Sequence, residues 1–281
     1  MKIALMDSGI GLLAAAAAVR RTHPGADLVL SSDPDTMPWG NAPEKVTELA
    51  LAAAEAAAAH RPDALIVACN TASVHALPAL RARLEPELPV IGTVPAIKPA
   101  AATGGPVAIW ATPATTGSPY QRGLIEEFAA GVSVTEVPCP GLAAAVQEAD
   151  EEAITRAIEA AAALTPPDVT TVVLGCTHYE LVAERIRAAV QQPDAKRLAL
   201  HGSAEAVVAQ ALRRIRERAI DAVDATDAER QTDDTYDAED ADGAEGTLTV
   251  LLGGREAALP SAALTYAEGR LLAASDPLLK A

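Results

Sequence analysis

The sequence predicts an α/β protein of two similar α/β domains, each with a mainly parallel sheet. Three observations predict it. Short apolar runs of β type alternate with longer alanine-rich runs along most of the 281 residues, the pattern of βαβ units. An apolar run leading to a cysteine and a threonine occurs twice, from Ala64 to Cys69-Asn70-Thr71 and from Val172 to Gly175-Cys176-Thr177. The two cysteines are 107 residues apart, about the length of one small α/β unit. Half of the residues are hydrophobic but only 2% are aromatic, so alanine, leucine and valine must fill the interior. Small side chains suit helices packed closely on sheets.

Each element follows from its local residues. Residues 2–6 read as a strand, Asp7-Ser8-Gly9-Ile10-Gly11 as a turn, and 12–21 as a helix. A second strand is expected at 27–30, and Pro43 opens a helix to about residue 59, since proline is tolerated in a first turn. Residues 64–68 form a strand ending at Cys69, followed by a helix over 74–83. Strands at 107–110 and 132–137 enclose a helix over 121–129, and 141–163 is helical with a break. A strand over 171–174 runs into Gly175-Cys176, with a helix over 181–190 after it. A strand at 248–252 and a closing helix complete the chain. The Pro/Gly-rich stretch 95–106 reads as a crossing, which divides the chain into 1–97 plus about 205–281 and a second unit of 98–204.

The formal net charge of −16 argues against nucleic acid or an anionic membrane face as partner. Twelve Asp/Glu and two Arg lie between Glu217 and Gly246, so this stretch carries −10 of that charge. Its part from about 221 to 246, poor in apolar residues, reads as a flexible acidic insertion with no partner. Three cysteines cannot all pair, and none has zinc-finger spacing, so free thiols in a reducing compartment are expected. The apolar stretch 12–19 is too short to span a bilayer, and Asp7, Gly9 and Gly11 interrupt the approach to it. A soluble, cytoplasmic protein is expected.

Parallel sheets bind ligands beyond the carboxyl ends of their strands. Asp7, Cys69 and Cys176 all fall immediately after a predicted strand. Two cysteines on facing strand ends suit a proton transfer in which one thiol takes a proton from a carbon and the other delivers one to its opposite face. Thiols are small, polarizable and titrate at roughly 8.5 when unperturbed. Helices following each cysteine would favour negative charge there. Asp7 is placed to serve Cys69 as a relay, and His178 to serve Cys176. Asn70, Thr71, Ser73 and Thr177 supply donors for a substrate carboxylate. Pyridoxal phosphate chemistry would need a lysine, and of the few present only Lys98 lies near these segments. Cys139, between two prolines, has no helper and reads as packing; His75 reads as helix surface, and His23 and His60 as loop residues.

Five motifs in order, Asp7-Ser8-Gly9-Ile10-Gly11, Pro38-Trp39-Gly40, Cys69-Asn70-Thr71-Ala72-Ser73, Thr112-x-x-Thr115 and Leu174-Gly175-Cys176-Thr177-His178-Tyr179, resemble the glutamate racemases of the aspartate/glutamate racemase family. The resemblance covers roughly residues 1–208. It implies two α/β domains with the active site in the cleft between them, no metal or cofactor, and glutamate as substrate. Cys69 would act on D-glutamate and Cys176 on L-glutamate, the product supplying cell-wall peptidoglycan. It further implies substrate contact or proton relay at Asp7, Ser8, Trp39, Gly40, Asn70, Thr71, Thr112, Thr115, Thr177 and His178, and a possible homodimer.

Four positions depart from the family pattern: Leu12 for the second glycine of a pair, Trp39 for tyrosine, Gln147 for glutamate, and Glu180 for proline. They leave two alternatives open: an aspartate or broader-specificity amino-acid racemase, or a non-catalytic relative that binds glutamate.

Overall fold

Among the described residues ten strands carry the frame: β1 (Lys2–Asp7), β2 (Asp27–Ser32), β3 (Ala64–Val67), β4 (Val90–Gly92), β5 (Val107–Ala111), β6 (Val134–Pro138), β7 (Thr171–Leu174), β8 (Ala199–His201), β9 (Leu248–Leu252) and β10 (Arg255–Glu256). They come from a computed structural model describing residues 1–37, 42–193, 195–227 and 246–274. One sheet has the order β10-β9-β2-β1-β3-β4 and the other β6-β5-β7-β8. Every pairing is parallel except β9 with β10. The α/β class with two mainly parallel sheets is therefore as expected.

The two sheets repeat one wiring. In the first, the chain leaves central β1 to one side for β2 and returns to the other for β3 and β4; in the second, β5, β6, β7 and β8 do the same. Both reversals are switch points, where adjacent loops part at the carboxyl ends of the strands and leave a crevice. Asp7 closes β1, Cys69 lies two residues beyond β3, and Cys176 two residues beyond β7. The repeated sequence segment thus corresponds to the third strand of each half.

Residues alternate between faces along each strand. Ile3, Leu5, Leu28, Leu30 and Ile66 of the first sheet join Ala108, Trp110, Val172 and Leu174 of the second in one continuous core. The intervening residues, such as Met6, Val29 and Leu65 in one sheet and Val107, Ile109 and Val173 in the other, pack on the opposite faces. The helix Leu13–Thr22 is buried from Leu13 to Arg20, which its run of five alanines permits. Leu12 is also buried, in the short 3₁₀ turn Ile10–Leu12, so the absent second glycine is accommodated by core packing.

Several elements differ from expectation. The helix expected over 74–83 is two, Asn70–His75 and Leu77–Leu84, the first beginning directly after Cys69. That expected over 181–190 is likewise preceded by a turn of helix, Thr177–Glu180, directly after Cys176. The break in 141–163 falls at Ala149, whose φ of 55° is left-handed and separates Leu142–Glu148 from Glu151–Leu164. The helix Ala204–Asp227 runs through the first seven residues of the expected flexible insertion, and 228–245 lie outside the described residues. Glu180, at the position of the family's proline, accepts from Ser203 N–H at 2.8 Å, Ser203 Oγ at 2.9 Å and Ala204 N–H at 3.3 Å, holding the start of that helix. No helix among the described residues is long and apolar enough to cross a membrane.

Candidate active site

A cavity of about 350 Å³ lies between the carboxyl ends of the two sheets. Cys69 and Cys176 both line it, together with Asp7, Ser8, Asn70, Thr71, Thr112, Thr115, Thr177 and His178. The expected site residues within the described part of the chain are gathered at one place except Ser73, which does not line the cavity: its Oγ lies 3.0 Å from Thr93 Oγ1 and accepts from Thr93 N–H at 3.0 Å. Trp39 and Gly40 lie outside the described residues.

The two cysteines occupy equivalent backbone positions. Each precedes a short helix in extended conformation, with φ/ψ of −143°/118° at Cys69 and −145°/135° at Cys176. Helix N–H groups consequently point at each sulfur: Ala72 at Cys69, and His178 and Tyr179 at Cys176. Gly175 lets the strand end close up, since a methyl there would meet the Trp110 carbonyl oxygen at 2.8 Å. Both thiols are nearly out of contact with water. Burial pushes Cys176 up to about 12 despite those N–H groups. It also holds Cys69 well above the ordinary thiol range, with the Asp7 charge and hydrogen bond adding to the shift. At neutral pH both thiols are therefore held in the neutral form.

Asp7 is fully buried. Its Oδ1 accepts from Ser8 N–H at 2.7 Å and Ser8 Oγ at 3.3 Å, its Oδ2 from Thr177 Oγ1 at 3.5 Å, and the Cys69 thiol also bonds the carboxyl. Burial outweighs these donors and raises its pKa from 3.8 to about 7. His178 Nδ1 lies 3.9 Å from Asp7 Oδ2, and burial lowers this imidazole from 6.5 to about 4, so it is neutral at pH 7. Gly11 permits the convergence: a methyl there would come within 2.5 Å of Asp7 Oδ2 and Thr177 Oγ1, and 2.6 Å of His178 Nδ1.

Opposed stability effects follow from these two shifts. Between pH 3.8 and 7 Asp7 keeps a proton in the folded chain that the unfolded chain has lost, so its contribution is full below 3.8 and lost as pH rises through about 7. His178 works the other way: its contribution is full above 6.5 and lost as pH falls through about 4. Asp7→Asn removes only the first. Urea melts should show the variant gaining on the parent between about pH 5 and about pH 8, by on the order of a few kcal/mol. A difference independent of pH would contradict the Asp7 shift.

The apolar side of the cavity had no signal in the sequence. Met37, Ala114, Ala143 and Ala144 build an apolar wall. Cys139 packs as expected, 1% exposed with its Sγ 3.5 Å from the Val137 carbonyl, yet it also reaches the cavity wall. Gln147 does not line the cavity but holds His178 from behind, its Oε1 lying 3.1 Å from Nε2. Asn70 has both amide atoms buried without a hydrogen-bond partner from the protein.

Paired thiols at matching strand ends of two repeated α/β halves are a frame suited to an enzyme that acts on both faces of one carbon. The chain belongs to the Asp/Glu/Hydantoin racemase family, whose model matches residues 12–211. It is 38% identical over 192 residues to the glutamate racemase of Roseiflexus sp. (strain RS-1), covering 66% of this chain and 70% of that one. With the glutamate racemase of Granulibacter bethesdensis it shares 36% over 219 residues, 75% of this chain and 77% of the other. Among solved structures it resembles Escherichia coli glutamate racemase in complex with L-glutamate and the activator UDP-MurNAc-Ala. That match has a TM-score of 0.70 and 25% identity over 96% of this chain and 92% of that one. It also resembles the glutamate racemase isoform RacE1 of Bacillus anthracis, with a TM-score of 0.61 and 27% identity over 77% and 82% of the two chains.

Proposed function

We propose that the chain is a glutamate racemase that inverts the α-carbon by moving protons between two cysteines without a cofactor, supplying D-glutamate for cell-wall peptidoglycan. The observation that carries this reading is the two sulfurs at equivalent strand ends lining a single cavity. In one direction the Cys69 sulfur takes the α-proton of D-glutamate while the Cys176 thiol gives its proton to the opposite face; the reverse direction exchanges the roles. Cys69 becomes a base by passing its own proton to Asp7, so the pair shares one negative charge. The N–H groups aimed at Cys176 support the thiolate on the other side.

Ser8, Asn70, Thr71, Thr112, Thr115 and Thr177 offer neutral hydrogen-bonding groups to the substrate carboxylates and ammonium, and the unpartnered Asn70 amide is suited to both. Trp39 and Gly40 are assigned to substrate contact on the family resemblance. The division at 97/98 and 204/205 is supported by the strands, since β5 to β8 form a sheet of their own. A reducing, cytoplasmic setting fits three unpaired cysteines. Assembly of two copies is read by light scattering.

Incubation with L-glutamate in deuterated water should yield D-glutamate carrying deuterium at the α-carbon, with nothing else added. Product that kept its original hydrogen would end the two-base reading. Acceptance of aspartate or other amino acids is the second reading; the small apolar wall of Ala114, Ala143 and Ala144 leaves room for uncharged side chains and does not itself select between aspartate and glutamate. Chiral chromatography after incubation with a panel of L-amino acids separates the two specificities. A non-catalytic relative that binds glutamate without turnover is disfavoured by the intact thiol pair.

A further inference from the structure

Gln147 stands near the end of the helix Leu142–Glu148, and its Oε1 makes two contacts. Ile10 N–H donates to it at 2.8 Å, and His178 Nε2 lies 3.1 Å away. A backbone N–H only donates, so the amide must present its oxygen here and not its nitrogen. An oxygen only accepts, so the second contact requires a proton on Nε2. In a neutral ring Nδ1 then carries none. Nδ1 is the nitrogen on the Asp7 side, beside Gly11 and Thr177.

We infer that Gln147 is a positioning residue that keeps His178 in the Nε2–H tautomer, leaving Nδ1 as a proton acceptor facing Asp7. Two demands compete for the single ring proton. An ionised Asp7 draws it to Nδ1, where it would be donated to Oδ2; the Gln147 oxygen draws it to Nε2. Asp7 from β1 is the charged group facing the ring. Ile10–Leu12 contributes no titratable side chain, and Glu148 on the Gln147 helix is exposed. The other titratable side chains of its own segment are Cys176, Tyr179, whose hydroxyl donates to the Cys139 carbonyl, and Glu180, which is engaged by Ser203 and Ala204. With Nε2 committed to Gln147, only Nδ1 is free to take a proton from Asp7, so any relay between Asp7 and the ring must run through it.

The catalytic consequence rests on the racemase reading, but the tautomer does not. Nitrogen-15 spectra of the histidines, with His178→Gln used to assign the signal, should show a protonated Nε2 and a bare Nδ1 on both sides of about pH 7. In Gln147→Met, where the acceptor is gone, the proton should move to Nδ1 as Asp7 ionises. In Gln147→Glu both contacts survive, so Nε2–H should remain, and the added charge should bring imidazolium to higher pH. A Gln147→Met spectrum identical to the parent's, or a parent already protonated on Nδ1, overturns the inference. D- and L-glutamate are enantiomers of equal energy, so kcat/KM must fall equally in both directions. A fall of on the order of tenfold in Gln147→Met is expected, a part of what a positioned acid–base contributes, with substantial recovery in Gln147→Glu. Spectra as expected from a protein without turnover would leave this assignment standing and sink the proposed function instead.

Discussion

Serine at either Cys69 or Cys176 should reduce racemisation of glutamate by on the order of a thousandfold or more. The thiols are already hard to ionise: burial takes Cys176 to about 12 and Cys69 well above the usual range. A hydroxyl in the same place is a far weaker acid, and the neighbouring N–H groups cannot make up the difference. In the proposed mechanism each thiol serves as base in one direction and acid in the other, so losing one should stop both directions. Initial rates from each enantiomer, followed by circular dichroism of the substrate, measure this. Near-native far-ultraviolet spectra of the variants would show that folding is preserved. Full activity in Cys176→Ser would refute the two-base mechanism outright.

A loss of on the order of a hundredfold is expected for Asp7→Asn. The carboxyl bonds the Cys69 thiol within a fully buried cluster. Transfer of the proton from sulfur to Asp7 keeps one negative charge in that pocket, whereas ionising Cys69 beside a fixed carboxylate would place two there. An amide cannot take the proton. Because burial raises Asp7 to about 7, parent kcat/KM should climb with pH through that value as the carboxylate forms. Asp7→Asn should lose that limb of the profile while becoming more stable above neutrality. An unchanged pH profile in the variant would assign the limb to another group and remove Asp7 from the proton path.

Asp7, Cys69 and Cys176 were legible in the sequence because each follows an apolar run, and parallel strands of that kind expose their carboxyl ends to ligands. The repeated run into Cys-Asn-Thr and Cys-Thr likewise reported two halves of one wiring. The short β4 and β8 and the two-residue β10 were not expected, since three residues or fewer are too few to display a period. Gln147 was legible only as a departure from a family pattern. Its link to His178 spans 31 residues and to Ile10 137, a separation on which local patterning is silent.

The sequence by itself determined the α/β class, the strand ends that bear Asp7 and the two cysteines, and the repetition of two thiol segments, because alternation and strand-to-helix punctuation are local properties. Only the tertiary structure decided that both thiols open on one cavity and that Asp7 is fully buried. It also decided that His178 is neutral with its Nε2 turned to Gln147. Those outcomes depend on desolvation and on hydrogen bonds between groups far apart in the chain, and such terms exist only after the two sheets have closed against each other.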